Sequence, residues 1–582
     1  MINMIDNAMS QIREILTRSY KELAAEGVFT DSDELPMNVE IPADTGNGDF
    51  ASSFALTAAR TLHKAPRMIA DAVAGRADLS GSYFNRIEVA GPGFINFFVD
   101  KSWYVDVLNG IEKEQDKYGS SNKGEGRKIN VEFVSANPTG PMHIGNARGG
   151  VLGDTLANLL KKSGYDVSKE FYVNDAGNQV HKFAVSINGR YMQLIYGEDG
   201  FEFPEDCYQG DDIKELAQAL FDEHGKKLLD MEEDARLELM ADFGLKRNIP
   251  QMKTDLEKYR VTYDTWFLES TLHESGMVAD TVQKLIDKGL TYEKDGALWL
   301  KTTELLVDKY TREGKTPEQI ENLNLKDDVL RRSNGFYTYF AADIAYHRNK
   351  FERGFTKAIN IWGADHFGHV ARLQAALDGL GLDGSNKLVI VLMHLVNLVR
   401  DGEPVRMSKR SGKAIALRDL LDEISIDAAR YFFNSRSAAS AIDFDLDLAV
   451  KNDSDNPVYY IQYAYARINS LVNNVCSEEE KSNMDFVSVD TSMLTEETEL
   501  NLIKCLARFP EVMNTAAEEL DPSHINRYLL DVAGEFHRFY TANRIKGEEE
   551  ALKNARLKMV DCTRIVLKCG MSILGLDLPE RM

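Results

Sequence analysis

The spacing of hydrophobic residues over 128–173 predicts the beginning of a parallel α/β sheet. Residues 129–134 are mostly apolar, as is typical of a short buried strand. The proline- and glycine-rich stretch 138–141 then interrupts the chain, so a loop is expected there. Leucine and valine recur at helical spacing over 145–164, and a further strand is predicted at 167–173. Strand, loop, helix and strand in this order predict a doubly wound sheet, with ligands beyond the carboxyl ends of its strands.

Hydrophobic patterning divides the rest of the chain into regions of different character. An amphipathic helix at 1–27 and a hairpin at 83–99 indicate a small α+β unit. The sheet is expected to resume with strands at 335–343, 358–362 and 388–393. Between the two halves of the sheet, residues 180 to about 330 are charged and helical in pattern, and we interpret them as an insertion. Helical spacing from residue 456 onward predicts a helical bundle.

A chain of 582 residues is too long for one hydrophobic core, and these patterns predict four regions. They are an N-terminal α+β domain (1–125), a Rossmann-like α/β domain (126–415) that contains the insertion, a connecting helical segment (416–455) and a C-terminal all-helical domain (456–582). The predicted fold class is therefore α/β with a doubly wound central domain and helical additions.

Composition excludes several classes of protein. Hydrophobic residues make up 43% of the chain and charged residues 27%, which is ordinary for a soluble globular protein. The five cysteines are Cys207, Cys476, Cys505, Cys562 and Cys569. They form no C-x-x-C pair and do not cluster with histidine, so neither zinc nor a disulfide framework is indicated. The N-terminus lacks the apolar core of a signal peptide and the longest apolar stretch, 388–399, is too short to span a bilayer, so we predict a cytoplasmic protein without membrane attachment.

The formal net charge of −24 bears on nucleic-acid binding. An acidic average argues against a nucleic-acid partner, but binding requires only a local basic surface. If RNA binds this chain, we expect the contact to be confined to a small area and to weaken with salt.

The loop and helix start at 141–146 carry the first candidate chemistry. A helix N-terminus presents free N–H groups and a partial positive charge, which suit a phosphate group. Gly145 has no Cβ, so a base or ribose can approach its backbone, and His143 can donate to a phosphate oxygen. A structural loop in which His143 caps the helix is an equally open alternative.

Two short motifs carry a family resemblance. The sequence PMHIGN at 141–146 resembles the His-Ile-Gly-His signature of class I aminoacyl-tRNA synthetases, and RMSKR at 406–410 resembles their Lys-Met-Ser-Lys-Ser signature. Further stretches narrow the resemblance to arginyl-tRNA synthetase of bacterial type. They are VEFVSANPTGPMHIGNARGG (131–150), FYVNDAGNQ (171–179), TYFAADIAYH (338–347), INIWGADHFGH (359–369), NPVYYIQYAYARI (456–468) and the closing PERM. These matches cover essentially the whole chain in order.

The resemblance implies an enzyme that ligates L-arginine to tRNA(Arg) in two steps for translation. ATP first converts arginine to arginyl-adenylate with release of pyrophosphate, and the arginyl group then passes to the 2′-hydroxyl of the terminal adenosine with release of AMP. Mg²⁺ is expected with ATP, bound mainly through phosphates and water. The resemblance also implies a monomer, an N-terminal domain that touches the outer corner of the tRNA, and a C-terminal domain that reads the anticodon.

By resemblance, two stretches hold ATP. The candidate ATP-binding residues are His143, Gly145, Asn146, Met407, Ser408 and Lys409, of which His143, Asn146 and Lys409 are the candidate catalytic residues. Lys409 is expected to stabilise the departing pyrophosphate, with Arg406 and Arg410 adding positive charge. Asn146 departs from the family pattern, because it replaces the usual final histidine and cannot titrate. Arg406 also departs, because it replaces a lysine with a group of different geometry.

Arginine recognition requires carboxylates that face the guanidinium group. The candidate arginine-binding residues implied by the resemblance are Glu132, Asn137, Tyr339, Asp343 and Asp365. On a helix, Tyr339 and Asp343 share a face and would meet the guanidinium, whereas Glu132 and Asn137 would meet the amino and carboxylate ends of the substrate. An ordinary ion pair of Asp343 with Arg348 or Lys350 is the structural alternative. Such a pocket is expected to reject lysine and citrulline.

The candidate tRNA-binding residues are Phe50 in the N-terminal region and Tyr460, Tyr463 and Arg467 in the bundle. Aromatic side chains can stack on unpaired RNA bases. From the residue pattern alone, Phe50 is better interpreted as a core anchor and the tyrosines at 459–465 as core. The resemblance instead favours RNA contact for at least one of these tyrosines.

Two other functions compete with this interpretation. A nucleotidyl transferase of another kind can have a similar His/Gly loop, although such enzymes are usually small and lack a helical C-terminal domain. A synthetase-like protein that binds RNA without catalysis is the second alternative. His143, Gly145 and Lys409 argue against it, whereas Asn146 is compatible with it.

Overall fold

The computed structural model describes residues 3–32, 35–405, 415–476 and 486–582. The second signature, including Arg406, Met407, Ser408, Lys409 and Arg410, lies outside these described residues. The predictions made for those five residues therefore rest on the sequence.

An antiparallel sheet and four helices form the N-terminal region. The elements are α1 (Met4–Ala25), β1 (Val39–Glu40), β2 (Phe50–Ser52), α2 (Phe54–Leu62), α3 (Pro66–Arg76), β3 (Phe84–Ala90), β4 (Phe94–Val99) and α4 (Lys101–Glu114), with the strands in the order β1-β2-β4-β3. The predicted helix over 1–27 and the predicted hairpin over 83–99 are confirmed. Alternation in β4 directs Ile95, Phe97 and Val99 into the core, which explains why this hairpin packs on the helices.

The central sheet begins as the hydrophobic pattern predicts. Strand β5 (Lys128–Glu132) leads through a loop to α5 (Ile144–Lys162), and β6 (Asp166–Val173) returns beside β5 in parallel. Three helices follow, α6 (Gly177–Tyr196), α7 (Asp211–His224) and α8 (Glu233–Lys258). They bury a separate small core that includes Phe183, Ile187 and Leu220, so this segment folds as a unit beside the sheet.

Strand β7 (Thr265–Leu268) corrects the prediction of one continuous insertion. It pairs in parallel with β6 at the edge of the sheet, so the chain leaves the sheet once before β7 and once after it. The second excursion contains α9 (Ser270–Glu274), α10 (Met277–Asp287), β8 (Thr291–Lys294), β9 (Ala297–Leu300), α11 (Thr302–Arg312), α12 (Pro317–Glu321) and β10 (Asp328–Arg331). Its strands form a small antiparallel sheet in the order β10-β9-β8.

The second half of the central sheet follows. It comprises α13 (Tyr339–Glu352), β11 (Lys357–Gly363), α14 (Phe367–Gly379), α15 (Gly384–Lys387) and β12 (Leu388–Met393). The five parallel strands lie in the order β12-β11-β5-β6-β7, which confirms the α/β class and the strands predicted at 358–362 and 388–393. The strand predicted at 335–343 is wrong, because the Thr338 hydroxyl accepts the Ala341 N–H and caps α13 there.

A second three-stranded sheet adjoins the central one. Its elements are β13 (Val396–Arg400), β14 (Glu403–Val405), α16 (Leu417–Glu423), α17 (Ile426–Asn434), β15 (Ile442–Asp445) and α18 (Leu446–Ala449), with strand order β14-β13-β15. The apolar stretch 388–399 comprises β12 and most of β13, which belong to different sheets. The connection between them, around His394, lies at the carboxyl edge of the central sheet.

Helices complete the chain and pack against its beginning. They are α19 (Pro457–Val475), α20 (Glu497–Ala507), α21 (Phe509–Glu519), α22 (Ser523–Ala542) and α23 (Glu550–Leu574), as the helical spacing predicts. The buried Tyr118 hydroxyl donates to the Leu506 carbonyl at 3.2 Å, and the Lys123 ammonium pairs with Glu518 at 2.6 Å. The bundle thus covers the N-terminal region directly. Among the described helices, none is both long and apolar enough to cross a membrane.

Candidate active site

A cleft of about 1230 Å³ opens at the carboxyl edge of the central sheet. The predicted site residues that line it are Asn137, His143, Gly145, Asn146 and Asp365. The opposite rim is formed by residues 208–215, which belong to the helical segment between β6 and β7. The position agrees with the rule that ligands of doubly wound sheets bind beyond the strand ends, where the strand order reverses between β5 and β11.

The backbone after β5 is strained where it enters the cleft. Val134 and Ser135 adopt φ angles of 71° and 42°, in the left-handed region that non-glycine residues rarely occupy. Two hydrogen bonds hold this turn, since the Ser135 hydroxyl donates to Glu132 at 2.9 Å and accepts the Tyr172 N–H at 3.1 Å. The turn directs the following residues, including the exposed Asn137, toward the cleft.

The N-terminus of α5 faces the cleft. The Asn146 side-chain oxygen accepts the backbone N–H of His143 at 2.9 Å, so Asn146 caps the first turn. A Cβ added at Gly145 would meet nothing within 4 Å, which leaves room for a ligand against its backbone. The exposed His143 imidazole and the helix dipole together provide hydrogen-bond donors and positive potential for a phosphate group.

The first signature is attached to the residues that follow the second. His143 and Ala416 form an antiparallel bridge, and the Leu417 N–H donates to the Met142 carbonyl at 2.9 Å. The described chain resumes at residue 415. Backbone hydrogen bonding therefore places Ala416 and Leu417, which follow the second signature in the sequence, beside the start of α5.

Asp343 lies on α13 and forms no ion pair with Arg348 or Lys350 among the described contacts. Arg348 instead contacts Asp280 at 2.6 Å and Glu352 at 2.7 Å, and Lys350 contacts Glu132 at 2.5 Å. The Asp343 carboxylate lies within hydrogen-bond distance of the His369 imidazole, with 2.9 Å between Oδ2 and Nε2. The structural alternative proposed for Asp343 is therefore wrong. One turn earlier on the same helix, the exposed Tyr339 hydroxyl lies beside Gly177 at the start of α6.

Glu269 is a buried carboxylate that no sequence motif indicates. It follows β7 directly and is only 4% exposed. Burial raises the pKa of Glu269, and the nearby negative charge of Asp343 raises it further. Burial also raises the pKa of Tyr172, with further contributions from Glu269, Asp343 and Glu132. The charges of three carboxylates thus act on the Tyr172 hydroxyl, and of these Glu132 is paired with Lys350 and Asp343 contacts His369.

Glu132 has a different environment from the one predicted for it. Its side chain is 5% exposed, and its two oxygens contact the fully buried Lys350 ammonium and the Ser135 hydroxyl. Lys350 also donates to Asn360 at 3.1 Å, which fixes the ammonium between β5 and β11. A direct contact between Glu132 and a substrate amino group requires displacement of these partners. In the described conformation, Glu132 holds Lys350 and the turn at Ser135 and is not among the residues that line the cleft.

The predicted RNA-binding residues fall into two groups. Phe50 is 2% exposed and packs edge-on against Phe84 and Trp103, so the prediction that it contacts tRNA is corrected in favour of a core anchor. Tyr460 and Tyr463 are half-buried, and their ring centroids lie 4.8 and 5.9 Å from that of His537.

Arg467 completes the aromatic strip on the bundle. Its guanidinium donates to the Tyr463 hydroxyl at 3.0 Å and lies over the Tyr540 ring at 4.2 Å. The resulting surface joins aromatic faces to a positive charge, which is the combination that stacks on unpaired bases. Within the described residues, no group of three or more His, Cys, Asp or Glu side chains is arranged to hold a metal ion.

Three family models match successive parts of the chain. The N-terminal domain of arginyl tRNA synthetase matches residues 10–99, the catalytic domain of class I tRNA synthetases (R) matches residues 108–452, and the DALR anticodon binding domain matches residues 461–582. The catalytic model alone covers more than half of the chain and includes every residue that lines the cleft.

Curated relatives match over the full length. The arginine–tRNA ligases of Acetivibrio thermocellus and Ruminiclostridium cellulolyticum are each 47% identical to this chain and cover all of it, with all of each relative covered. A solved structure described as a putative arginyl tRNA synthetase from Campylobacter jejuni is 33% identical, with a TM-score of 0.72 over 83% of this chain and 100% of its own. Thermus thermophilus arginyl-tRNA synthetase is 20% identical, with a TM-score of 0.71 over 98% of this chain and 100% of its own, and it shares the fold.

Proposed function

Because the chain belongs to the arginyl-tRNA synthetase family of class I aminoacyl-tRNA synthetases, we propose that the cleft at the carboxyl edge of its central sheet is the site where arginine and ATP react. The enzyme ligates L-arginine to tRNA(Arg), by way of arginyl-adenylate and with release of pyrophosphate and AMP, as is general to this family. The observation that carries the site proposal is the convergence of the α5 N-terminus and the residues after the second signature on one cleft.

The nucleotide is proposed to bind between the two signatures. The α5 N-terminus, His143 and the Asn146 amide nitrogen offer donors to the triphosphate, while the open backbone at Gly145 admits the ribose or base. From the second signature, Met407 and Ser408 are proposed to contact ATP and Lys409 to follow the pyrophosphate as it leaves. Arg406 and Arg410 supply further charge for phosphate oxygens.

The arginine side chain is proposed to bind beside Tyr172, where the carboxylates of Glu269 and Asp343 exert their charge. Asp343 and Glu269 face the guanidinium there, with Tyr339 at its edge. The Asp343 carboxylate accepts one branch of the planar fork, and His369 holds that carboxylate in place. Citrulline is rejected because it brings no positive charge to these carboxylates. Lysine is rejected because its ammonium lacks the planar fork of donors that can hydrogen-bond to both carboxylates.

The remaining predicted residues are proposed to orient the reacting end of the substrate. Asn137 lines the cleft on the strained loop and can donate to the arginine carboxylate. Glu132 is proposed to bind the substrate amino group, which would replace Lys350 as the partner of its carboxylate. Asp365 lines the same cleft beside His366, and we propose that it joins the arginine side.

Catalysis in this arrangement depends on positioning and charge. An arginine carboxylate oxygen attacks the α-phosphorus of ATP, the bond from that phosphorus to the bridging oxygen breaks, and pyrophosphate carries away the negative charge. In the second step, the tRNA 2′-hydroxyl attacks the arginyl carbonyl and AMP leaves. Donors at the α5 N-terminus stabilise the charge that develops on phosphate oxygens, so no covalent protein intermediate is required.

The tRNA is proposed to lie across both terminal domains. Tyr460, Tyr463 and Arg467 are proposed to stack on and pair with anticodon nucleotides. The N-terminal domain, about residues 1–125, is proposed to touch the outer corner of the tRNA through its surface rather than through the buried Phe50. The four regions 1–125, 126–415, 416–455 and 456–582 remain our proposal for the domain boundaries.

Mg²⁺ is proposed to accompany ATP, bound through phosphate oxygens and water. We further propose a cytoplasmic monomer. Sedimentation equilibrium of the full chain tests the oligomeric state, where a mass of 65.4 kDa is expected and twice that mass would contradict the proposal.

ATP–pyrophosphate exchange tests the site and its specificity. The full chain with Mg²⁺ is assayed with each amino acid, with and without tRNA(Arg), and exchange is expected with arginine alone. Dependence on tRNA would indicate that tRNA completes the site. Folded protein that gives no exchange under either condition would contradict the catalytic proposal and favour the RNA-binding alternative.

A further inference from the structure

Arg148 is a fully buried arginine on the same helix as the first signature. It lies five residues after His143 and its relative exposure is 0%. Its Nη1 donates to the carbonyls of His394 and Ser440 at 2.7 and 2.9 Å, and its Nη2 donates to the Ser437 carbonyl at 2.9 Å. One side chain therefore binds three backbone oxygens from two separate segments.

The charge of Arg148 is not neutralised by a direct ion pair. Within the described ranges, no carboxylate lies within salt-bridge distance of its guanidinium, and its hydrogen-bond acceptors are main-chain carbonyls. Burial lowers the pKa of Arg148 to about 10, with Asp521 as a more distant opposing charge. A buried cation without an opposite charge destabilises the fold. Arginine is nevertheless required here, because neither lysine nor a neutral side chain can donate to three carbonyls with a planar fork.

The segments that Arg148 holds lead to the second signature. His394 connects β12 to β13, and its N–H donates to the Ala438 carbonyl at 2.9 Å. Residues 437–440 precede β15, which pairs with β13 from Val396↔Ile442 onward. Strand β13 in turn pairs with β14, and β14 ends at Val405, directly before the second signature.

These contacts also set one wall of the cleft. His394 and Leu395 line it, as do His143, Gly145 and Asn146 at the start of α5. Arg148 therefore joins that wall, at the root of the β13–β14 hairpin, to α5. Ala416, which follows the second signature in the sequence, is attached to His143 independently.

We propose that Arg148 is a positioning residue for ATP activation. It fixes the β14-β13-β15 sheet, whose strand β14 ends directly before the second signature in the sequence, against the helix that carries the first. The inference rests on the proposed function of the cleft and assigns to it a residue that touches neither substrate. Loss of the fork should misplace the triphosphate relative to the α5 N-terminus while leaving the arginine pocket, which is built from α13 and the end of β7, unchanged.

The test compares Arg148→Lys with a matched control, Arg430→Lys. Arg430 is equally buried and also donates to a carbonyl, Leu574 at 2.7 Å. Its guanidinium pairs with Asp154, in the second half of α5, at 2.6 Å, and its hydrogen bonds join α5 to the C-terminal bundle and not to the wall at His394. Circular dichroism gives the thermal unfolding midpoint of both variants. ATP–pyrophosphate exchange with tRNA then gives kcat and the separate KM values for ATP and arginine at a temperature below both midpoints.

The expected result is a split between the two substrates. Arg148→Lys should lower kcat/KM for ATP by about 100-fold, in line with the loss of two or more charge-assisted contacts, with KM for arginine unchanged within about twofold. Arg430→Lys should lose stability without this split. Equal activity losses in the two variants, or a parallel rise in KM for arginine, would overturn the inference.

A folding failure or an inactive parent remains distinguishable from these results. If Arg148→Lys does not fold, Arg148→Gln removes the buried charge, keeps one amide donor and is expected to show the same split. A wild-type chain without exchange would contradict the proposed function rather than this inference. A folded Arg148→Gln variant with wild-type kinetics for ATP would overturn the positioning role.

Discussion

The Asn146 side-chain oxygen accepts the backbone N–H of His143 at 2.9 Å, which makes the residue that departs from the signature a cap of helix α5. Substitution Asn146→Asp keeps this acceptor and places a negative charge at the helix start, so the thermal midpoint should stay equal or rise. The same charge repels the triphosphate and removes a donor. We therefore expect KM for ATP to rise about 10-fold or more, measured by exchange kinetics.

Asn146→Ala is the companion variant, because it removes both functions. It should lose about 1 kcal/mol of stability as well as ATP affinity. If Asn146→Asp binds ATP as the wild type does, Asn146 serves the helix alone.

Arginine binding should strengthen as pH rises from acidic to neutral values because of Glu269. Burial and the charge of Asp343 raise the pKa of this carboxyl, so it holds a proton to higher pH than an ordinary glutamate does. The arginine cation favours the ionised form, and binding below the raised pKa must expel that proton. KM for arginine is therefore expected to fall as pH increases, measured in exchange assays across this range.

Glu269→Gln provides the check on that pH dependence. The variant should raise KM for arginine about 10- to 100-fold at neutral pH, as expected for loss of a charged hydrogen bond, and should flatten the pH profile. A variant that keeps the wild-type slope would assign the titration to another group.

Lys409→Ala should lower kcat of exchange by about 100- to 1000-fold, since removal of one preorganised charge at a departing anion has that order of effect. KM for arginine should change little, because the arginine pocket lies on other elements. Lys413→Ala is the matched control within the same sequence segment. Equal losses in the two variants would mean that the charge of the segment, and not Lys409 itself, determines the rate.

The free energy of unfolding should decrease as pH rises, because of a carboxyl at the interface between the C-terminal bundle and the N-terminal region. Glu511 at the start of α21 has its pKa raised to about 7, chiefly by burial and also by the Asp6 carboxylate of α1. A carboxyl with a raised pKa favours folding while protonated, so its contribution is present near pH 4.5 and is lost as pH rises to about 7.

Glu511→Gln mimics the protonated form at every pH. It should match the wild type in acid and exceed it at pH above about 7 by about 1 kcal/mol, a value reduced for solvent screening of this partly exposed group. Denaturant unfolding at the two pH values measures the difference. A gap that does not grow with pH would exclude Glu511 as the titrating group.

The sequence predicted the parts of the fold that depend on local pattern. The β5–α5–β6 unit and the terminal helices have strong periodicity, and each was located within a few residues. Strand β7 was missed because four residues in an aromatic segment, Thr265–Leu268, carry no readable period. The segment before Asp343 was assigned to a strand because its apolar residues suit either structure, and the Thr338 cap decides for the helix.

The site was predicted through motifs, and its omissions follow from the fold. Glu269 becomes visible as a pocket residue only when β7 is placed beside β6, because its distance from Asp343 in the chain is 74 residues and no motif links them. The burial of Phe50 and the pairing of Glu132 with Lys350 also depend on neighbours remote in sequence. Local pattern cannot report such contacts.

The contact between Tyr118 and Leu506 joins residues 388 positions apart, which sets a delay during synthesis. At ribosomal rates of about 5–20 residues per second, the surface around Tyr118 waits roughly 20 to 80 s before the helix that covers it has been made. The N-terminal region must therefore persist on the ribosome with an aromatic face uncovered. Newly made chains should be most vulnerable to aggregation in this interval, well before the finished enzyme meets its first tRNA.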